Sequence, residues 1–232
     1  MARISKSDLT KLEIIRVATR MFLDKGYSKT TIKAISDELG MSTGNLTFYF
    51  PTKEYLLGAL VEMLIDFQWK EMKKYIDEGV NLVLAICFEL TSMAAACEED
   101  TNIKDFYLSA YKSEITLDMI RRNDAERAKS VFMEYCPDWT DEQFAEAEML
   151  VSGIEYATLM TTESSASLEL RIGGALNAIM GIHNMPKELR PEKIEKCLSM
   201  DYRAAGKNVL QKFRKYVYDA SEKALERLLK GI

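Results

Sequence analysis

The residues able to do covalent chemistry are few, and their spacing removes most reactions from consideration. The chain has one histidine, His183, and four cysteines at positions 87, 97, 136 and 197. The cysteines form no Cys-x-x-Cys pair and take no metal-ligand spacing with His183. They therefore read as reduced, buried thiols, and neither a metal nor a cofactor is expected. Gly40-Met41-Ser42-Thr43-Gly44 spells the Gly-x-Ser-x-Gly elbow of hydrolases. That elbow needs a strand before it and an acid and a histidine after it. Helical periodicity flanks it here and His183 lies far along the chain, so Ser42 reads as a helix N-cap. Asn45-Leu46-Thr47 matches a glycosylation sequon, which has no meaning without a secretory signal. His183, near a helix end ahead of Pro186, reads as a residue that caps or tips into solvent. No catalytic constellation is left, and an enzyme is not expected.

Groove recognition is better supplied. With Leu46 and Phe50 one helical turn apart and pointing inward, Thr43, Gly44, Asn45, Thr47 and Phe48 remain on the outer and N-terminal faces. Asparagine can pair with an adenine edge, threonine offers a hydroxyl and a methyl, and phenylalanine can lie on a thymine methyl. Gly44 lets a backbone come close. Tyr49, Lys53, Thr31 and Lys33 stand at the rim, where they would hold phosphates and set register.

These groups need elements to position them. Leu12, Ile15, Ala18 and Phe22 recur at three- and four-residue steps and Gly26 follows as a stop, which predicts a first helix. Thr30 or Thr31 can cap a second, with Ile32, Ile35 and Leu39 inward. Gly40 supplies a tight turn and Ser42 caps a third helix. Three short helices in fifty residues, two of them joined by a glycine turn, form a helix-turn-helix.

The run Thr30 to Glu62, TTIKAISDELGMSTGNLTFYFPTKEYLLGALVE, resembles the DNA-binding region of the tetracycline-repressor-like (TetR) family of bacterial transcription regulators. The matching features are the threonine pair, the Gly40 turn, the Leu46–Tyr49–Phe50 set, Lys53, and the Glu54–Leu56–Leu57 start of a long fourth helix. Thr47 stands where the family usually has tyrosine. The resemblance implies a ligand-responsive regulator, acting as a repressor, whose homodimer grips a palindromic operator and is released by a small-molecule inducer.

Composition and charge agree. Among 232 residues, 47% are hydrophobic and 29% charged, with only 11 glycines and four prolines, too few turn residues for a many-stranded β fold. The fold class expected is all-α, with a DNA-binding domain at 1–52 and a helical ligand-binding and dimerisation domain at 53–232. Residues 1–53 hold nine Lys/Arg against five acids, whereas the rest holds 22 against 31. A basic head on an acidic body suggests that only the head meets a polyanion. No secretory signal or membrane span is read, since Glu89 and other polar residues interrupt the apolar run Val80–Cys97, so a cytoplasmic location is expected.

Beyond the head the pattern predicts a long helix from Lys53 to about Glu78 with Gly79 as its stop. Helices follow at about 80–97, 103–120, 125–136, 141–162 and 166–184, then a brief one after Pro191 and a final one at about 202–230. Phe67, Phe88, Met93, Phe106, Tyr107, Tyr111, Tyr156 and Met160, with Glu89 or Glu155 as polar anchors, are candidates to line an effector pocket. Phe144, Val151, Ile154 and Thr158, facing Gly174, Ala178 and Gly181, are candidates for a dimer interface built as a four-helix bundle. Two other classes compete. A helical adaptor would not need the basic head, and an all-helical enzyme would need a convergent polar cluster.

Overall fold

The computed structural model describes the backbone of residues 5–77 and 81–230 and the side chains of 5–71 and 81–226. Among the described residues there are eleven α-helices and no strand.

The head follows from local capping. Helix α1 (Lys6–Lys25) opens on a reciprocal Ser5–Asp8 capping box and ends at Gly26, whose φ of 89° only glycine adopts freely. Thr31 caps α2 (Ile32–Glu38) by accepting from the Ala34 amide, and Ser42 caps α3 (Thr43–Tyr49) by accepting from the Asn45 amide. Between them the chain reverses through Gly40 at φ 64°. A Ser36–Thr43 hydroxyl pair at 3.2 Å ties α2 to α3. Ala18, Phe22, Ile35, Leu46, Leu56 and Leu57 are buried together, so the head core reaches into α4 (Lys53–Asp77).

The body comprises α5 (Leu82–Glu99), α6 (Thr101–Lys112), α7 (Glu114–Phe132), α8 (Asp141–Leu159), α9 (Leu168–Ile182), α10 (Arg190–Ser199) and α11 (Tyr202–Lys230). Two sequence expectations are corrected here. The stretch 103–120 is not one helix, because the chain breaks at Ser113, and α7 then runs unbroken through the gap expected before 125. At the break the Thr116 hydroxyl donates to the carbonyls of Ala110 and Ser113, replacing helix bonds with side-chain ones. No glycine or proline marks the place, so periodicity alone runs through it. Glu78, Gly79 and Val80 lie outside the described residues, and with them the expected stop between α4 and α5.

The head is not free-standing. From Ile14 to Leu23 most of α1 is buried, packed by α2, α4, α6 and α11. Asp105 on α6 accepts from the Ser28 amide at 2.7 Å and hydroxyl at 2.6 Å. Asn102 donates to the Asp24 carbonyl at 2.8 Å, and Arg214 on α11 pairs with the Asp24 carboxylate at 2.6 Å.

Candidate nucleic-acid interface and ligand cavity

Helix α3 presents the expected outer face. Leu46 is fully buried and Phe50 nearly so, while Thr43, Gly44 and Asn45 are exposed and Phe48 is 79% exposed, its ring set edge-on to Tyr49. Nothing lies within 4 Å of where a Cβ on Gly44 would sit. Gly44 is the second residue of α3, and nothing in the chain's own packing requires a glycine there. Thr47 bonds its hydroxyl to the Gly44 carbonyl at 3.2 Å.

The rim differs from simple expectation. Lys53 sends its ammonium to the carbonyls of Tyr27 and Thr30, both at 3.1 Å, and sits 4.0 Å from the Tyr27 ring centroid. It locks the α1–α2 connection onto the start of α4. Lys33 pairs with Asp37 at 3.0 Å on an exposed helix face, and Thr31 and Ser42 spend a lone pair each on caps. Tyr55, in the first turn of α4, is 53% exposed; it lies just outside the three-helix pattern, so the spacing of the head residues does not single it out.

Inside the body two chambers share a wall. The inner one, of about 90 Å³, lies among α4 to α9, and the outer one, of about 320 Å³, lies between α4, α5 and α11. Glu89, Met93 and Tyr107 border both, Tyr111 and Glu155 the inner, Phe67 and Phe88 the outer. Phe106, Tyr156 and Met160 border neither. Phe106 is one residue from Tyr107, about 100° around the helix, and is buried in the packing behind it. Tyr156 lies beside Tyr111 with ring centroids 6.5 Å apart, and Met160, at the end of α8, faces outward.

The inner chamber holds a polar cluster that the sequence did not disclose. Arg127 is buried and pairs with Glu89 and, at 3.2 Å, with Asp124. Trp69 donates to Asn123, which donates to Asp124 at 2.9 Å. Tyr111 donates to Glu155 at 2.9 Å. Burial, reinforced by neighbouring acids, pushes the carboxyls of Glu148 and Glu155 far above the usual carboxylate range. His183 also lines this chamber. It is the C-cap residue of α9, as its position suggested, but its ring is buried against Phe132 at 4.3 Å rather than tipped into solvent. Burial lowers its pKa and keeps it neutral. Arg127 and Glu148 sit on α7 and α8 at positions with ordinary helical neighbours, so only the packing of those two helices brings them together.

The expected interface residues divide. Phe144, Val151 and Thr158 are buried and Ile154 is half-buried, because that side of α8 packs on α6 and α7 of its own subunit. The exposed side of α8 carries Met149, Leu150, Gly153, Ala157 and Met160, beside Leu170, Gly174 and Ala178 of α9. A Cβ added at Gly153 or Gly174 would have nothing within 4 Å, whereas a Cβ on Gly181 would meet the Arg190 guanidinium at 2.7 Å. Gly181 thus lies against an intrasubunit side chain, whereas Gly153 and Gly174 face open space.

Residues 14–60 match the family of bacterial regulatory proteins called the tetR family. The head of the chain is similar to the DNA-binding region of that family. The chain is 29% identical over 110 residues to the HTH-type transcriptional regulator HbdR of Aromatoleum sp. (strain CIB), covering 47% of each chain. It is 28% identical over 69 residues to the HTH-type transcriptional repressor KstR2 of Mycobacterium tuberculosis, covering 30% of this chain and 34% of that one. The chain therefore spans about half or less of the length of these curated relatives. Among solved structures, Thermus thermophilus FadR, a TetR-family repressor in complex with lauroyl-CoA, aligns with a TM-score of 0.47 at 17% identity over 81% of this chain and 91% of that one.

The match runs from within α1 to the start of α4, the segment whose caps, glycine turn and buried positions are local in sequence. The relatives are named as transcriptional regulators, not enzymes. The Gly-x-Ser-x-Gly run resolves into the α2–α3 turn, with no strand ahead of it and Ser42 capping α3. All four cysteines are free and buried. Among the described residues no helix is long and apolar enough to cross a membrane.

Proposed function

We propose that this chain is a ligand-responsive repressor that binds a palindromic operator as a homodimer and releases it when a small molecule occupies the body. The observation that carries this reading is the exposed face of α3, where Gly44, Asn45 and Phe48 stand clear of the protein with Thr47 half-buried beside them, on a helix capped by Ser42 and tied to α2 through the Ser36–Thr43 hydroxyl pair. Asn45 and Phe48 would read base edges, and Gly44 would let the helix N-terminus approach the backbone. Residues 1–52 form the DNA-binding unit and 53–232 the effector and dimerisation unit. The exposed α8–α9 face, with two glycines whose cost no intrasubunit contact offsets, supports a twofold four-helix contact.

Release works by population. An effector that prefers one arrangement of the cavity walls shifts α4, and with it the spacing of two heads, away from successive grooves. Coupling of about 1–3 kcal/mol lowers operator affinity about 5- to 150-fold. The test is selection of binding sites from genomic DNA with the purified chain, followed by a gel shift at several salt concentrations. An inverted repeat should be enriched, and its affinity should fall with salt at about −0.9 in log–log slope per phosphate contact. Recovery of sites without twofold symmetry overturns the homodimer reading, and recovery of no site overturns the repressor.

A further inference from the structure

The inner chamber places one carboxylate oxygen each from Asp124, Glu148 and Glu155 within 4.8 Å of one another. Asp124 comes from α7 and the two glutamates lie seven residues, about two turns, apart on α8, so the cluster forms only where these helices meet. An acidic group of this kind says little alone, but its setting adds independent observations. Glu148 is only 2% exposed and its Oε1 has no partner. His183, 1% exposed and lining the same chamber, engages Nδ1 with the Ile179 carbonyl at 3.0 Å and leaves Nε2 unpartnered. With the proton on Nδ1, that Nε2 is a second unused acceptor. Among the described residues of the chamber the unpaired donor is Nε of Arg127, whose charge Glu89 and Asp124 already match. Buried polar atoms in native proteins are ordinarily satisfied, so unused acceptors beside three carboxyls describe a receptor for a donor of positive charge.

The shape of the site selects among cations. An ammonium group carries three N–H donors; with acceptors at about 2.8 Å and tetrahedral angles, those acceptors stand about 4.6 Å apart, compatible with the cluster. Magnesium and calcium take about six to eight oxygens, while the walls around the cluster are mostly aliphatic and aromatic, among them Ile86, Leu90, Ile120 and Leu176. A transition metal would recruit imidazole, yet Nε2 of His183 does not belong to the clustered ligand atoms. Apolar walls suit a carbon stem, and the neighbouring chamber beyond Gln68 and Glu89 leaves room for its far end.

We propose that the inner chamber is a receptor for a primary ammonium group on an apolar stem, held by Asp124, Glu148 and Glu155. As an effector site this rests on the repressor reading above; as a binding site it does not. The probes are 1-aminohexane, with 1-hexanol and hexanoate as neutral and anionic counterparts of equal length, and manganese chloride as the metal arm. Calorimetry on the full chain should show 1-aminohexane binding at least ~10-fold more tightly than 1-hexanol, as a charge-assisted hydrogen bond implies, and hexanoate binding more weakly still. Glu148→Gln and Glu155→Gln should each weaken the amine at least ~10-fold while binding of 1-hexanol changes little, and thermal melts should show both variants folded. Equal binding of amine and alcohol, or amine affinity unchanged in both variants, overturns the receptor. Manganese that binds and displaces the amine overturns the choice of an organic cation. A gel shift with the selected operator separates the two readings. Amine binding without release refutes the effector role and leaves the receptor standing, whereas release by some other molecule with no amine binding refutes the receptor and leaves the repressor standing.

Discussion

Residue by residue, the head separates groups that hold it together from groups that its own packing leaves free. Lys53 bonds two loop carbonyls and covers the Tyr27 ring, so Lys53→Ala should cost about 1–3 kcal/mol of stability and lower the melting midpoint by several degrees. Asn45 lends only its backbone amide to the Ser42 cap. Asn45→Ala should leave the melt unchanged and lower the ratio of operator to random-DNA affinity, checked by competition gel shifts at one salt concentration; an unchanged ratio would remove Asn45 from base reading. In the body, Glu148 carries a stability cost of definite sign. Burial raises its pKa in the folded state, so the folded protein binds more protons than the unfolded chain above the ordinary value near 4.5, and stability falls as pH rises from there. Glu148→Gln abolishes that term. Denaturant titrations should find the variant more stable than wild type at pH 8, with the difference shrinking towards pH 5.

Between helices, close approach and capping decide the geometry of the body. α11 crosses α5 at Gly206, where a Cβ would collide with the Ser92 carbonyl, a backbone atom that cannot swing aside. Gly206→Ala should therefore separate the two helices at a cost of about 1–3 kcal/mol, read as a lower melting midpoint. Because Ser92 also lines the outer chamber, the same variant should change binding of apolar dyes there. The break at Ser113 is the opposite case, an element boundary made by side-chain hydrogen bonds rather than by glycine. It turns α7 so that Asp124 and Arg127 face the chamber.

For the molecule taken entire, the two sides of α8 make separable demands. Leu150 is 60% exposed beside Met149 and the α9 glycines, whereas Phe144 is buried in its own subunit. On the proposed twofold contact, Leu150→Glu should place like charges near the axis and leave a monomer that still melts cooperatively, measured by light scattering and calorimetry. Phe144→Ala should instead cost about 3–5 kcal/mol and lower the melting midpoint without a specific loss of dimer. The head is wired to this body by Asp105, Asn102 and Arg214, which hold the α1–α2 connection from α6 and α11. The head is therefore joined to the body through short polar contacts as well as through α4.

The all-helical class, the helix-turn-helix and its resemblance to the TetR family are legible in the amino-acid sequence alone, because they rest on signals within four residues of one another. Thr31, Ser42, Gly26 and Gly40 act on their own turns, and the spacing of Leu46 and Phe50 already says which side of α3 is exposed. Whatever depends on the rotation of one helix against another is settled only by packing. Periodicity shows that Phe144, Val151 and Thr158 share a side of α8, but not whether that side meets its own subunit or a partner. The same limit hides the cluster of Asp124, Arg127, Glu148 and Glu155, whose members lie up to 31 positions apart and are ordinary surface types until α7 and α8 pack face to face. A buried charge is legible only once its partners are, since burial without them would cost more than folding returns.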